Sequence, residues 1–461
     1  MKWEEIDISQ VAAAISGNVS FGRSSKISGV STDTRSIRSG DIFFAIEGDR
    51  FDGHSFVKEA SDKGASCVVV HKDIALKGIP AIKVKNTTES FGDFASWWRK
   101  HHSAKVIAIT GSTGKTTVKE MTALILSHAG TTLKTEGNFN NNIGLPHTLF
   151  NLTDKHQFAV VEMGISKHGE ISRLVQIADP DIGLITNIGE AHLEGLGNIQ
   201  AVAEAKWELA EYLFGKGALL LINGDNELLR SLADKRKKYG RAIPFGLGKD
   251  NTIKAENIVN HPDGSKFIII YDGKSFPVNL KVTGDFFIID ALGAISIGIS
   301  CGIPMETNIK AIEKFTPVKG RFYVTKGPYD SLLIDDTYNA NPTSLEAGLK
   351  AASDMRRNNN RLIVVLGDML ELGQESIALH KKAGQLIADI KTDLLITLGS
   401  YSEYVSYGAK DKGLTNTVGF ADHNEIADYL LANIHQGDIV FVKGSRGMGM
   451  EKVLDKLRNY N

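Results

Sequence analysis

Short apolar runs closed by turn residues recur along this chain, and amphipathic stretches separate them. The pattern predicts a helix over 9–15 with Ser9 as its N-cap, strands at 27–30 and 41–46, and a helix over 55–63. Strands at 67–70 and 81–84 and a helix over 90–101 complete a first α/β region. A second begins near His102 with a buried strand at 106–109. A turn over 110–114 follows, then a helix that puts Val118, Met121 and Ile125 on one face and stops at Gly130. Further strands are predicted at 158–163, 182–188 and 218–222, with a helix over 198–214. Near Thr252 the period changes. KFIIIYDGKSFPVNL is two β runs broken by Asp-Gly, a hairpin signal, and a helix returns over 286–298. From Pro317, strands at 332–335, 362–366, 394–398 and 439–442 alternate with helices at 344–355, 376–389, 424–433 and 451–457. Such alternation predicts a parallel sheet with helices on both faces. The fold class expected is α/β in three domains: a small α/β domain over 1–101, a central parallel sheet of the P-loop ATPase type over 102–316, and a Rossmann-like doubly wound domain over 317–461.

Composition narrows the partners. Hydrophobic residues make up 42% of the 461 residues, enough for several ordinary cores. The net charge of −1 gives no basic excess for nucleic acid or an anionic membrane. Cys67 and Cys301 lie far apart in apolar contexts, which fits buried thiols in a reducing compartment better than a disulfide framework. MKWEEIDISQ lacks the charged-then-apolar pattern of a signal peptide, and no apolar run approaches the roughly 20 residues of a membrane span. A cytoplasmic protein is the expectation.

The candidate chemistry is densest in VIAITGSTGKTT. Strand, Gly-bearing turn and Lys-Thr at a helix start is the layout of a phosphate cradle, with backbone N–H groups and the helix N-terminus facing the anion. The cradle residues are Gly111, Ser112, Thr113, Gly114, Lys115, Thr116 and Thr117, in a G-x-x-G-K-T form shorter than the general pattern. Lys115 is expected to reach the terminal phosphates, and the Thr116 hydroxyl to hold Mg²⁺. Two further strands end in polar groups, Glu162 and, in an exit loop, His192. Ligands of open α/β sheets bind outside the carboxyl ends of strands, so a cradle, a carboxylate and an imidazole there suit Mg²⁺–ATP. Taken singly, Glu162 reads equally as a solvated or salt-bridged carboxylate, and His192 reads more readily as a loop or packing histidine. Ser31, Thr32, Asp33 and Arg35 form a polar stretch after a strand end, either a ligand site or an ordinary loop. No Cys/His cluster has zinc spacing, and no G-x-S-x-G elbow is present.

These motifs resemble those of the Mur ligases, the ATP-dependent amide-forming enzymes of peptidoglycan precursor synthesis. The likeness rests on TGSTGKTT, NFNNNIGLP at 138–146, VEMG at 161–164, NIGEAHLE at 187–194 and EAKWEL at 204–209. KGRF at 319–322, IDDTYNANPTS at 334–344, LGDMLELG at 366–373 and VKGSRGMGME at 442–451 extend it through the third domain. These runs are most similar to the branch that adds D-Ala-D-Ala to UDP-N-acetylmuramoyl-tripeptide. The D-N-P-R motif of the branch that adds the third amino acid is absent.

The resemblance implies roles. Ser31, Thr32, Asp33 and Arg35 would lie near the UDP end of the substrate, and Asn140, Asn141 and Asn142 would line its channel. The cradle would hold ATP and Mg²⁺. Glu162 and His192 would ligate metal, joined by Lys206 as a carbamate. Arg321 would reach the ATP phosphates and Asp336 the ribose. Asn339 is a further substrate-binding candidate; Ser445 and Arg446 are candidates for the dipeptide only because they follow a strand end, and read at least as well as part of a Gly-rich surface loop. By residue type alone, Lys206 reads as a solvated lysine paired with Glu204 or Glu208. A monomer is expected.

One departure stands out. The family's His-Asn pair after the Gly of the second domain's last helix is replaced by Asp285-Phe286-Phe287, with Phe287 at the amide position, and Asp290 replaces a usual Asn. Phe287 is expected to pack on an apolar or aromatic face, adenine being one candidate. Two other readings compete: a folylpolyglutamate- or cyanophycin-type ligase of the same fold, and a nucleotide-binding paralogue without turnover, supported by Phe287.

Overall fold

The computed structural model describes residues 3–20, 26–48, 51–74, 78–357 and 360–460. The chain divides into two compact units, one of Met1–Ala108, Gly130–Gly164 and Gly169–Asp181, the other of Ile109–Ala129, Ile165–His168 and Ile182–Asn461.

The first unit contains a five-stranded sheet. Gly29–Ser31, Asp41–Phe44, Cys67–Val70 and Ala81–Lys83 pair in parallel, and Asn18–Val19 adds an antiparallel edge. All four residues of Asp41–Phe44 and of Cys67–Val70 are buried, as expected of parallel strands covered on both faces. Helix Ile8–Ala14 is capped by Asp7, not Ser9. The Asp7 carboxylate accepts from the Ser9 N–H, and Gln10 closes a capping box. The Asn86 side-chain oxygen accepts from the Thr88 and Glu89 N–H groups and caps Thr87–Lys100, so that helix begins before the predicted Ser90. Trp3, Phe94, Trp98 and Phe150 stack together in this unit. Thr132–Lys134 pairs in parallel with Phe158–Glu162. Helices Gly144–Leu149 and Glu170–Ala178 were absent from the sequence expectation. The second is pinned to Thr87–Lys100 by Arg173 on Asp93 (2.7 Å) and by buried Arg99 on the Ala178 carbonyl (3.1 Å).

In the second unit, Ile182–Ile185, Leu219–Asn223, Ala242–Gly246 and Ile253–His261 run parallel, and Gly264–Tyr271 and Lys274–Leu280 continue the sheet antiparallel. The predicted hairpin is present. Its turn residues Asp272 (φ 50°) and Gly273 (φ 71°) both have positive φ, the geometry that matches strand twist. Helix Asp285–Ser300 packs against Lys115–Leu126. A six-stranded sheet follows, in the order Tyr323–Lys326, Leu332–Asp336, Ile439–Lys443, Leu362–Gly367, Leu394–Leu398, Thr417–Phe420, parallel but for the first. Asn341 caps Pro342–Asp354 with Pro at the helix start, ahead of the predicted Ser344. The α/β class and the parallel C-terminal sheet are as expected. Among the described residues no helix is long and apolar enough to cross a membrane, and the two cysteines form no disulfide.

Candidate active site

Strand Lys105–Thr110 ends in the loop that precedes helix Lys115–Leu126. Gly111 (φ 148°) and Gly114 (φ 77°) make the turn. A Cβ at Gly111 would lie 1.8 Å from Thr186 Oγ1, and one at Gly114 2.5 Å from Asp290 Oδ1, so only bare backbone fits at both. The loop 187–189 braces the cradle from outside. The Ser112 N–H donates to the Asn187 carbonyl (3.0 Å) and the Thr113 N–H to Asn187 Oδ1 (2.9 Å). The Ser112 hydroxyl accepts from the Gly189 N–H (2.9 Å) and donates to its carbonyl (3.1 Å). Lys115, the first helical residue, donates to the Gly111 carbonyl at 2.7 Å. Thr116 and Thr117 follow at the helix start, where backbone N–H groups point outward.

Arg321, just before the first strand of the six-stranded sheet, reaches the cradle. Arg321 Nη2 lies 3.2 Å from Thr116 Oγ1, and its guanidinium stacks 3.9 Å from the Tyr338 ring centroid. Asp336 accepts from the Phe322 N–H (3.1 Å) and pairs with buried Lys443 at 2.5 Å. Lys443 also holds the Asn339 carbonyl, and the Asn339 side chain is exposed. Ser445 is buried, accepting from the Leu370 N–H (2.8 Å) and donating to the Ala340 carbonyl (3.3 Å). The surface-loop reading therefore fails for Ser445. Arg446 is exposed and lies 5.8 Å from the Tyr338 centroid.

His192 sits in the exit loop after Ile182–Ile185, with φ 57°. Its Nδ1 is 2.6 Å from Glu371 Oε2, and this hydrogen bond holds the Glu371 carboxyl below its usual range. Lys206 is on helix Ile199–Lys216 and is 1% exposed. Burial, helped by the nearby Lys115 charge, pushes its ammonium well below the ordinary lysine range. The solvated-lysine reading is overturned, since Glu204 is held instead by Arg236 at 2.6 Å.

The first unit carries its own candidates. Glu162 ends strand Phe158–Glu162, is 3% exposed and accepts from Asn140 Nδ2 at 2.9 Å. Its N–H donates to the Thr135 hydroxyl. Asn141 Oδ1 accepts from the Ile143 and Gly144 N–H groups. Asn142 Oδ1 is buried with no hydrogen-bond partner among the described residues. A cavity of about 1020 Å³ is lined by Ser31, Thr32, Asp33, Asn138, Asn141 and His147, among others. Thr32 Oγ1 and His147 Nε2 are 3.0 Å apart, and burial depresses the His147 imidazole. Arg35 grips Asp33 with Nε and Nη2 (2.6 Å), which lowers the Asp33 carboxyl to about 2. Of the predicted substrate residues in this unit, Ser31, Thr32, Asp33 and Asn141 line the cavity, while Asn140 turns to Glu162. His147 was missed. It lay inside no motif and meets Thr32 only in the fold.

Phe287 is 1% exposed, with its ring among Phe286, Phe315 and Phe322. It packs on aromatic faces as expected, and those faces are the protein's own. Phe287→Asn would leave a cavity and bury an amide among rings, costing about 3–5 kcal/mol in urea denaturation. Unchanged stability would show that the cluster repacks. The paralogue reading rested on this residue and loses its support, because the ring is core packing.

Three family models match the chain: Mur ligase family, catalytic domain, over 26–95; Mur ligase middle domain over 109–298; and Mur ligase, glutamate ligase domain, over 320–446. A UDP-N-acetylmuramoyl-tripeptide–D-alanyl-D-alanine ligase of Haemophilus influenzae is 35% identical over 98% of this chain and 98% of its own. The chain belongs to the Mur ligase family. The ligase of the same name from Bacillus subtilis is 32% identical, covering 94% of this Mur ligase and 93% of that protein. A crystal structure of MurF from Acinetobacter baumannii superposes with a TM-score of 0.92 at 29% identity, over 99% of this chain and 100% of that one. MurF from Thermotoga maritima, solved in complex with ADP, gives 0.84 at 25% identity, over 93% and 96%.

Proposed function

We propose that this Mur ligase joins D-Ala-D-Ala to UDP-N-acetylmuramoyl-tripeptide with cleavage of ATP, a step of peptidoglycan precursor synthesis in the bacterial cytoplasm. The full-length correspondence with ligases of that name carries the reading. The cradle and the large cavity beside Ser31, Thr32 and Asp33 agree with it. No specific observation favours a folylpolyglutamate- or cyanophycin-type substrate.

A carboxylate is a poor electrophile. Transfer of the γ-phosphoryl group to the tripeptide carboxylate makes an acyl phosphate and ADP. The dipeptide amine then adds to the acyl carbon, loses a proton, and expels phosphate as the amide forms. Bare backbone at Gly111–Gly114 and the helix start would bind the phosphates, with Lys115 and Arg321 placing positive charge on them. In the second unit, Thr116, His192 and carbamylated Lys206 would hold Mg²⁺, and Glu162 is the first unit's metal-ligand candidate. Hydroxyl, carboxylate and carbamate supply the oxygen ligands that Mg²⁺ takes, with the imidazole a single borderline nitrogen donor beside them. When bound, Mg²⁺ would spread the charge that develops on the transferring group. Asp336 is assigned to the ATP ribose. Arg446, exposed beside Tyr338, and Asn339 are the better dipeptide candidates, with buried Ser445 shaping their loop. Residues 1–101 would bind UDP, 102–316 ATP and 317–461 the dipeptide. The chain is read as acting as a monomer.

The cavity assignment has its own test. Thr32→Val removes the hydroxyl facing His147 at nearly constant volume. Its affinity for the UDP-tripeptide, read by calorimetry, should fall about tenfold, as for a lost hydrogen bond of ~1.4 kcal/mol, with ATP binding unchanged. Undiminished affinity would remove the UDP end from this cavity.

A further inference from the structure

Glu371 belongs to no expected site, yet it is the partner of His192. It lies in the loop after strand Leu362–Gly367, 179 residues away in sequence. The contact is built from both sides. His192 (φ 57°) and Glu371 (φ 63°) are both non-glycine residues in the left-handed region, which costs energy at each. A second bond fixes the approach: the Glu194 N–H donates to the Glu371 carbonyl at 3.0 Å. Gly373 packs so closely that a Cβ there would lie 3.3 Å from Glu194 Cα. Glu371 is more than half exposed, and exposed ion pairs return little stability. Two strained residues for a weak pair make poor sense as fold stabilisation. They make sense as orientation of the ring.

We propose that Glu371 is a positioning residue for His192. Its carboxylate accepts a hydrogen bond from Nδ1–H, fixing the tautomer in which Nε2 carries the lone pair and turning that nitrogen outward for a divalent cation. The inference rests on the reading of His192 as a metal ligand. It has a consequence for the cycle: Glu371 comes from the six-stranded sheet, so the imidazole is set for the cation only while that sheet's loop is docked on the 187–196 loop.

The test uses the full chain labelled with ¹⁵N-histidine, with His192 assigned by its loss in His192→Ala. Long-range ¹H–¹⁵N spectra at pH 8 should show His192 protonated at Nδ1 in the wild type and in Glu371→Gln, whose amide oxygen still accepts. Glu371→Ala should move the proton largely to Nε2, the default of a solvated imidazole. Mn²⁺ binding with a non-hydrolysable ATP analogue, followed by electron paramagnetic resonance, should weaken about 10-fold or more in Glu371→Ala and stay within about 3-fold in Glu371→Gln. A wild-type ring protonated at Nε2, or a Glu371→Ala variant with the wild-type tautomer and Mn²⁺ affinity, overturns the proposal. So does a Glu371→Gln variant as impaired as Glu371→Ala, because charge rather than orientation would then be at work. Wild-type Mn²⁺ affinity in His192→Ala would instead overturn the reading of His192 as a ligand, and the proposal with it.

Discussion

Lys115→Ala should lower turnover by about 10²–10³-fold, the usual loss on removing one preorganised stabilising group. Lys115 opens helix Lys115–Leu126 and is tied to the Gly111 carbonyl, so its charge is held at the mouth of the cradle before any anion arrives. No reorganisation is needed at the moment of transfer. An alanine there keeps the helix, since alanine is its best former, and the glycine turn depends on Thr186 and Asp290 rather than on Lys115. The variant should therefore melt like the wild type and bind the UDP-tripeptide with unchanged affinity, because the cavity residues belong to the other unit. Steady-state phosphate release and a thermal melt on the same sample check both halves. Near-normal turnover would remove the phosphates from this loop.

Lys206→Ala should abolish most activity and be partly rescued by formate or acetate. A buried lysine must lose its charge or find a partner. Here burial and Lys115 both favour the neutral amine. Such an amine is a nucleophile at neutral pH. Its lone pair adds to the carbon of CO₂, a proton leaves nitrogen for solvent, and a carbamate anion remains. The charge beside Lys115 would change from repelling to attracting, and an anionic oxygen ligand would be gained. A short carboxylate in the space left by Lys206→Ala would restore part of that ligand set. Labelled bicarbonate should give a carbamate ¹³C resonance in the wild type that is missing from the variant. An active alanine variant, or no such resonance, would return Lys206 to the role of a buried neutral amine.

What could be read from the sequence follows from which interactions are local. Buried strands such as Leu394–Leu398 and amphipathic helices such as Ser376–Asp389 announce themselves through a run or a period, and both stand at their expected bounds. Short or irregular elements do not. Thr132–Lys134 is an edge strand of three half-buried residues, and Ile253–His261, paired on both sides, alternates irregularly because its register shifts between Glu256 and Val259. Helix starts slipped where the capping side chain lay one or more residues earlier, as with Asp7, Asn86 and Asn341. The cradle was legible because its chemistry is contiguous. His147 and Glu371 were not, since each acquires meaning only through a partner 115 or 179 residues away. Lys206 was legible by likeness alone. Its environment, which decides its charge, is a property of the packed helix.

The central claim is that ATP cleavage here serves amide formation between two particular substrates. Phosphate release by the wild-type chain, with ATP and Mg²⁺ in every arm, tests it most directly. UDP-N-acetylmuramoyl-tripeptide alone, D-Ala-D-Ala alone, both, and neither are compared, with the product mass recorded alongside. The account predicts sustained release only when both are present, one phosphate for each D-Ala-D-Ala joined. Equal release with neither substrate, or with L-glutamate in place of D-Ala-D-Ala, would contradict it.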